Sequence, residues 1–148
     1  MLLSIYDPEQ STEAKQGQEA LSQAVAGGDT SIFKLLLDSG KLHVDSRDSH
    51  GRTPLSQAAS TGCEPIVRML LDTRRVEIDS RDAWGRTPLS YAVTMESESV
   101  VRLLLDTGKV EIDSRDNCGR TPLSQARSRG YASIVRLLLD SEKAKIDS

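Results

Sequence analysis

Residues 79–92 read DSRDAWGRTPLSYA, and the same frame occurs twice more, at residues 45–58 and 113–126. The run G-R-T-P-L-S inside this frame recurs every 34 residues, beginning at Gly51, Gly85 and Gly119. A weaker copy, GQEALSQA, begins at Gly17. A fixed period of this size indicates stacked supersecondary units, each of which contacts chiefly its neighbours.

Each unit predicts two helices and an extended loop. Thr53 and Pro54 suit a helix start, because the hydroxyl caps free N–H groups and proline needs no N–H partner in the first turn. Gly62 suits a left-handed C-cap. A second helix is predicted from about Glu64, and its apolar face is too broad for one neighbour to cover. That face consists of Ile66, Val67, Met69, Leu70 and Leu71. Residues 76–85 then alternate apolar and polar residues as an extended hairpin does.

The pattern G-R-T-P-L-S-x-A, followed by a glycine and by I-V-R-x-L-L, resembles the ankyrin repeat. It covers residues 17–148, in three strong copies and one weak copy. The extended form D-S-R-D-x-x-G-R-T-P-L-S resembles the large ankyrin arrays of filamentous fungi. The resemblance implies an all-α repeat solenoid of about four 34-residue repeats with projecting hairpins.

The repeat period divides the chain into a lead-in and four units. The predicted boundaries are 1–16, 17–50, 51–84, 85–118 and 119–148. Residues 17–50 lack the T-P-L run and carry more polar residues, as an amino-terminal cap does. Residues 146–148 match residues 112–114, midway into a hairpin, so the last repeat is interpreted as truncated, uncapped and cut from a longer array. Arg127, at a position that is apolar in the other strong copies, argues mildly the other way.

Three kinds of position depart from the family pattern. Serine stands where the family usually has histidine, at Ser56, Ser90 and Ser124. Losing that hydrogen-bonding side chain predicts modest stability. Glu96 replaces a glycine between the helices, and Arg74 replaces a glycine after the second helix. If these backbones are left-handed, each substitution costs about 1 kcal/mol; otherwise the turn itself has changed.

Composition excludes several classes of function. The net charge is −3, with 19 basic and 22 acidic residues, which predicts no general attraction to nucleic acid or to anionic membranes. No apolar run approaches the length of a membrane span. Cys63 and Cys118 occupy different positions of different repeats, so they form neither a disulfide framework nor a zinc site. We therefore expect a reducing compartment, the cytoplasm or the nucleus.

No pattern of catalytic residues is present in the sequence. His43 and His50 belong to no recurring Ser-His-Asp or Cys-His arrangement, and their spacing does not suit a metal site. The run G-R-T-P-L lacks the glycine spacing and the lysine of a phosphate-binding loop. We expect no enzyme activity, no catalytic residue, no cofactor and no metal.

Inside the constant frame, the two residues before each glycine vary. They are Ser49 and His50, Ala83 and Trp84, and Asn117 and Cys118. In the ankyrin family the matching residues lie at hairpin tips and often contact the partner. An exposed tryptophan is typical of an interface anchor. Alternatively, Trp84 packs over a neighbouring arginine in a cation–π contact.

Two sets of arginines recur with the frame. One consists of Arg52, Arg86 and Arg120, and the other of Arg47, Arg81 and Arg115. Each set would form a spaced row of cations along a stack, able to bind an acidic or phosphate-bearing partner. Aspartates recur beside them, at 45, 48, 79, 82, 113 and 116. Because the two residue types recur together, neutralisation within the loops is the favoured interpretation.

A second row of candidates lies on the first helix of each unit. Residues that match the family's concave surface are Ser60, Thr61, Thr94, Met95, Ser128 and Arg129. Met95 is either an adaptable contact or a cover for the turn before Glu96. Tyr91 stands where the neighbouring repeats carry glutamine, and it could form a small aromatic patch with Trp84. The predicted partner-binding residues are Ser49, His50, Arg52, Ala83, Trp84, Arg86, Tyr91, Met95, Asn117, Cys118, Arg120 and Arg129.

These features favour a module that binds another protein through hairpin tips and the concave helix face. One alternative is a self-contained enzyme regulator, like the ankyrin-type inhibitors of cyclin-dependent kinases. Another is a structural spacer without a specific partner. An uncapped face at Leu138 and Leu139 could also pair with a second copy, giving an end-to-end homodimer.

Overall fold

The computed structural model describes the backbone of residues 8–40 and 43–147, and the side chains of Gly17, residues 19–40 and residues 43–144. Within these residues the chain forms eight α-helices in four consecutive pairs. They are α1 (Pro8–Gly27), α2 (Thr30–Asp38), α3 (Pro54–Thr61), α4 (Glu64–Asp72), α5 (Pro88–Thr94), α6 (Glu98–Asp106), α7 (Pro122–Arg129) and α8 (Ala132–Asp147). The all-helical repeat solenoid of about four units is therefore confirmed. The division into residue ranges stays a prediction, and α1 runs across its first boundary at residue 17.

The helices pack in two layers. Helices α1, α3, α5 and α7 contact one another in sequence, and so do α2, α4, α6 and α8, while each pair also packs internally. Ala58, Ala92 and Ala126 are fully buried between the helices of the first layer, where a small side chain lets the backbones approach closely. The second layer contributes buried Ile66, Val67, Leu70, Val100, Val101, Leu104, Ile134 and Leu138. Each helix pair therefore buries its apolar face against the next pair.

The serines that replace histidine cap the helices. Thr53 accepts a hydrogen bond from the Ser56 N–H, and the Ser56 hydroxyl accepts one from the Thr53 N–H at 2.9 Å. The same reciprocal capping box opens α5 and α7, at Thr87 and Thr121. In addition, the Thr53 and Ser80 hydroxyl oxygens lie 3.1 Å apart in a buried position. This contact links the start of α3 to the loop before α5. The two hydroxyls therefore supply part of the hydrogen bonding between neighbouring repeats.

The turns without glycine keep the glycine conformation. Gly62 and Gly130 have φ of 71° and 75°, and Glu96, at the matching position after α5, has φ of 56°. Arg74, after α4, also has φ of 56°. Of the two alternatives raised by the sequence, the backbone is strained and the turn is unchanged. Left-handed conformations of residues other than glycine cost on the order of 1 kcal/mol or more.

Replacing Glu96 by glycine is expected to raise the free energy of unfolding by about 0.5–1 kcal/mol, because relief of the left-handed strain exceeds the entropy cost of a glycine. Met95→Gly is the matched control, since Met95 has an ordinary φ of −89° and gains no such relief. Urea unfolding followed by circular dichroism measures both. Equal destabilisation of the two variants would show that Glu96 is not strained.

The loops between helix pairs contain no strand within the described residues, so the predicted extended hairpins are wrong in detail. Each is a tight turn instead. In the third unit the Gly85 N–H donates to the Asp82 carbonyl at 3.0 Å, and the Asp82 N–H donates to the Arg86 carbonyl at 3.1 Å. Gly85, with φ of 74°, reverses the chain within this turn.

The last helix differs from its counterparts. Helices α4 and α6 end at Asp72 and Asp106, whereas α8 continues to Asp147. The prediction that residues 146–148 lie midway into a hairpin is therefore wrong for residues 146 and 147, and residue 148 lies outside the described residues. The Thr107-Gly108 pair that follows α6 is replaced by Ser141-Glu142, but α4 is followed by Thr73-Arg74 and still ends at Asp72, so the missing glycine does not by itself account for the longer α8.

The two ends of the stack differ in what they expose. Leu138 is only 1% exposed, so it cannot supply the homodimer face predicted for it, while Leu139 is 40% exposed. Arg127 is exposed where Ala59 and Val93 are fully buried. The carboxyl-terminal end is thus more polar than an internal repeat. At the other end, Ile32 and Leu35 on α2 are 46% and 71% exposed.

Candidate functional site

The loop tips, defined here as residues 48–51, 82–85 and 116–119, lie side by side and are joined through their backbones. The Ala83 N–H donates to the His50 carbonyl, and the Asn117 N–H donates to the Trp84 carbonyl, each at 3.0 Å. The Asn117 side chain adds a hydrogen bond to the Ala83 carbonyl at 3.0 Å. Ala83 and Asn117 therefore serve partly to align the tips, and the tips form one continuous edge.

Trp84 lies at the middle of this edge and is 44% exposed. Its ring stacks on the His50 ring, with centroids 5.4 Å apart and planes 19° from parallel. The Arg86 guanidinium carbon lies 5.5 Å from the Trp84 ring centroid. The cation–π contact considered from the sequence is therefore present. Nearly half of the tryptophan side chain stays open to solvent, while His50 and Arg86 both lie against its ring.

An aspartate holds each tip in shape. In the third unit, one Asp82 carboxylate oxygen accepts hydrogen bonds from the Trp84 and Arg86 N–H groups, both at 2.9 Å. Asp48 and Asp116 make the corresponding pairs of backbone hydrogen bonds. Because these bonds orient the residue before each glycine, the constant aspartate positions the variable side chain.

In the second and fourth units the second carboxylate oxygen pairs with arginine. The Arg52 Nε lies 2.9 Å from Asp48, and the Arg120 Nε lies 3.0 Å from Asp116. Burial acts to raise the pKa of both aspartates, but the backbone and side-chain hydrogen bonds outweigh it and hold each pKa below its usual value. Neutralisation within the loops, the favoured interpretation of this arginine row, is confirmed for Arg52 and Arg120.

The third unit breaks that pattern. The Tyr91 hydroxyl donates a hydrogen bond to the second carboxylate oxygen of Asp82. Within the described residues, Arg86 forms no ion pair with a carboxylate. Its guanidinium carbon instead lies 5.5 Å from the Trp84 ring centroid and 5.8 Å from that of Tyr91. The aromatic patch suggested by the sequence is thus bridged by a cation.

The hydroxyl of Tyr91 is held in its neutral form. Burial, together with the neighbouring Asp82 carboxylate, raises the pKa of Tyr91 to about 12, against a smaller opposing effect of Arg86. In the unfolded chain the pKa is about 10. The folded value is the higher one, so the stabilisation is complete below pH 10 and is lost as the pH rises toward 12.

We expect absorbance at 295 nm to show one tyrosine that ionises near pH 12, absent in Tyr91→Phe, with the native chain losing stability between pH 10 and 12. The chain has three tyrosines, so the step that belongs to Tyr91 is identified as the difference between the native chain and Tyr91→Phe. If Tyr91→Phe instead removed a group that ionises near pH 10, the hydrogen bond to Asp82 would be absent in solution.

The other arginine row links neighbouring loops. The Arg47 guanidinium donates to the Arg81 carbonyl at 2.7 Å, and the Arg81 guanidinium donates to the Arg115 carbonyl. Arg47 also lies 3.8 Å from a Glu77 carboxylate oxygen, while Asp45 and Asp79 each accept a hydrogen bond from a backbone N–H one loop further along, of Glu77 and Glu111. This row therefore joins loops rather than presenting free cations, a role that repeat counting alone did not indicate.

The helix residues proposed from the sequence are mostly exposed. Met95 is 56% exposed and caps α5, and Arg129 is exposed in the last turn of α7. The Thr61 and Thr94 hydroxyls donate to carbonyls one turn back in their own helices, at 3.1 and 2.7 Å. The exposed Met95 side chain leaves its contact role open as a proposal. Ser49 and Cys118 are also exposed at the tips.

The bond between Tyr91 and Asp82 was not anticipated, although the sequence carried a signal for it. Glutamine precedes and follows Tyr91 at 34-residue intervals, and Gln57 donates to Asp48 at 3.0 Å. The tyrosine at this position therefore replaces the glutamine that would otherwise hydrogen-bond to the aspartate.

Within the described residues, no group of three or more His, Cys, Asp or Glu side chains is arranged to hold a metal ion.

No helix in the described part of the chain combines the length and apolar character needed to cross a membrane.

Stacked helix pairs joined by projecting loop tips define a helical repeat protein whose exposed edge suits contact with another protein. The family model described as "Ankyrin repeats (3 copies)" matches residues 1–82 and 74–148. The chain therefore belongs to the ankyrin-repeat family, whose members are typically non-catalytic protein–protein interaction modules. A search of curated proteins finds no match.

Proposed function

We propose that this chain, whose repeat frame resembles that of the ankyrin arrays of filamentous fungi, binds a protein partner through its loop tips and through the exposed face of α3, α5 and α7. The observation that carries the proposal is Trp84, an aromatic side chain left 44% exposed on an edge that backbone hydrogen bonds hold in place. Tryptophan is enriched among the residues that dominate interface energy, and a side chain already ordered loses little entropy on binding.

Neighbouring groups support this assignment. His50 stacks on one side of the indole and Arg86 lies near its ring, so the exposed surface has a fixed orientation. Met95, Asn117, Cys118, Arg120 and Arg129 extend the proposed surface along the tips and the helix ends. A rigid surface of this kind binds by shape complementarity and needs no cofactor.

Affinity capture followed by mass spectrometry tests the proposal, with the native chain, Trp84→Ala and Leu35→Ala compared. Leu35 is the matched control, because it is exposed to 71% and lies on α2, away from the tips. A partner recovered with the native chain and with Leu35→Ala, and bound at least ten-fold more weakly by Trp84→Ala, supports the tips. Equal recovery by all three contradicts the tip site and favours a spacer or a different surface.

A further inference from the structure

We propose that the tip of the third unit binds an acidic side chain of the protein partner, with Arg86 taking the carboxylate and Trp84 taking the adjoining apolar part of the same segment. This inference rests on the proposed function and names the chemistry of the partner. It starts from a difference among three equivalent arginines, two of which are paired with an aspartate of their own tip while Arg86 is not.

The difference has a physical cause in Tyr91. In the second unit, Gln57 and Arg52 both donate to the same Asp48 oxygen, at 3.0 and 2.9 Å. In the third unit the Tyr91 hydroxyl takes that oxygen of Asp82, and the wide phenol ring lies beside the guanidinium. Arg86 is therefore displaced from the carboxylate onto the faces of two aromatic rings.

A guanidinium in this arrangement suits recognition of a carboxylate. Its planar fork of N–H donors matches two carboxylate oxygens, and of its five N–H groups those not directed toward the Tyr91 hydroxyl can donate to a partner. Asp82 forms no ion pair with Arg86 in the described structure, and its two oxygens accept hydrogen bonds from the Trp84 and Arg86 N–H groups and from Tyr91. Arg86 is partly exposed and adjoins the 44% exposed indole, so charge and apolar contact lie next to each other.

The equivalent positions in the flanking tips lack one or both of these features. Arg52 and Arg120 are already paired, and the side chains beside them are His50 and Cys118 rather than an indole. The acidic site is thus confined to the third unit. Charge complementarity favours an Asp- or Glu-containing peptide over a neutral or basic one.

Selection from a phage-displayed random dodecapeptide library on the immobilised full chain tests this inference. Affinities of the selected synthetic peptides are then measured by isothermal titration calorimetry, because Trp84 is the only tryptophan and Trp84→Ala would give no indole fluorescence. The expected peptides are enriched in Asp or Glu beside an apolar residue. Arg86→Gln should weaken their binding at least ten-fold, while the control Arg68→Gln, at an exposed arginine of α4 that pairs with Glu64 of its own helix, should leave it nearly unchanged.

A second variant tests whether Tyr91 is the residue that keeps Arg86 from pairing with Asp82. Tyr91→Gln reproduces the arrangement of the second unit, so Arg86 should return to Asp82 and binding should fall about as far as in Arg86→Gln, with both Arg86 and Trp84 still present. Arg86→Lys keeps the charge without the fork and should retain only part of the affinity. Circular dichroism of each variant checks that the helices are intact.

The remaining outcomes separate the two proposals. Peptides that depend on Trp84 but carry no acidic enrichment and tolerate Arg86→Gln would overturn the carboxylate site and leave the proposed function standing. If the selected peptides bind Trp84→Ala with the same affinity as the native chain, both the carboxylate site and the proposed partner site at the tips are overturned. Failure to select any peptide above the level of the empty support would also overturn the acidic site.

Discussion

Replacing Leu89 by alanine is expected to lower the free energy of unfolding by about 3 kcal/mol. Leu89 is fully buried in α5, and α5 packs against both α3 and α7. Removing three heavy atoms from such a site costs the lost transfer free energy plus that of the cavity, which together amount to roughly 2–5 kcal/mol. Because domains of this size are stable by only about 5–15 kcal/mol, the loss should be large enough to shift the urea midpoint clearly.

Leu35→Ala is the control for Leu89→Ala. It removes the same atoms from a side chain that is 71% exposed, so its effect should stay within about 0.5 kcal/mol. Both variants are measured by urea unfolding at 222 nm. Equal midpoints for the two would show that the interface between α5 and its neighbours does not hold the stack together. Loss of the single transition in Leu89→Ala would show that the two halves of the stack then unfold separately.

Replacing Gly85 by alanine is expected to destabilise the chain by about 2–4 kcal/mol. Its φ of 74° costs a residue with a side chain about 1 kcal/mol. In addition, the new methyl group would lie 2.6 Å from the Asn117 side-chain oxygen, 2.9 Å from the Asn117 backbone nitrogen and 3.2 Å from the Arg81 guanidinium. The backbone nitrogen cannot move without breaking its hydrogen bond to the Trp84 carbonyl, so the steric term adds about 1–3 kcal/mol.

Gly119→Ala separates the two contributions to that cost. Gly119 has φ of 77°, and a methyl group there would meet nothing within 4 Å. It should therefore cost only about 1 kcal/mol, the conformational part. The difference between the two variants measures how closely the tips of the third and fourth units are held together. If the two variants were equally stable, the contact between the tips seen here would not persist in solution.

The sequence was sufficient for features that depend on near neighbours along the chain. Thr-Pro predicted the helix starts, and Gly62 predicted a left-handed turn, because capping and backbone handedness are decided within a few residues. The 34-residue recurrence predicted the stacking, since an apolar face repeated at a fixed interval must be buried by its own copies. The same recurrence showed that Glu96 stands at a glycine position, but it left open whether the backbone there is strained or the turn has changed, and the φ of 56° decides for strain.

Features that depend on competition between distant groups required the tertiary structure. In the second and third units, the residue nine positions after the aspartate of the tip hydrogen-bonds to that aspartate: Gln57 to Asp48, and Tyr91 to Asp82. With glutamine there, the arginine of the tip pairs with the aspartate; with tyrosine there, it does not. The carboxyl-terminal helix continues to Asp147 although residues 146–148 repeat residues 112–114, and loss of the glycine alone does not explain this, since α4 also lacks it and ends at Asp72. The amino-acid sequence by itself determined the repeating helix pairs and the frame of each tip. Only the folded stack decided that Arg86, unlike Arg52 and Arg120, forms no ion pair with the aspartate of its tip. The reason is that this pairing depends on side chains that meet in three dimensions, which a local sequence pattern does not specify.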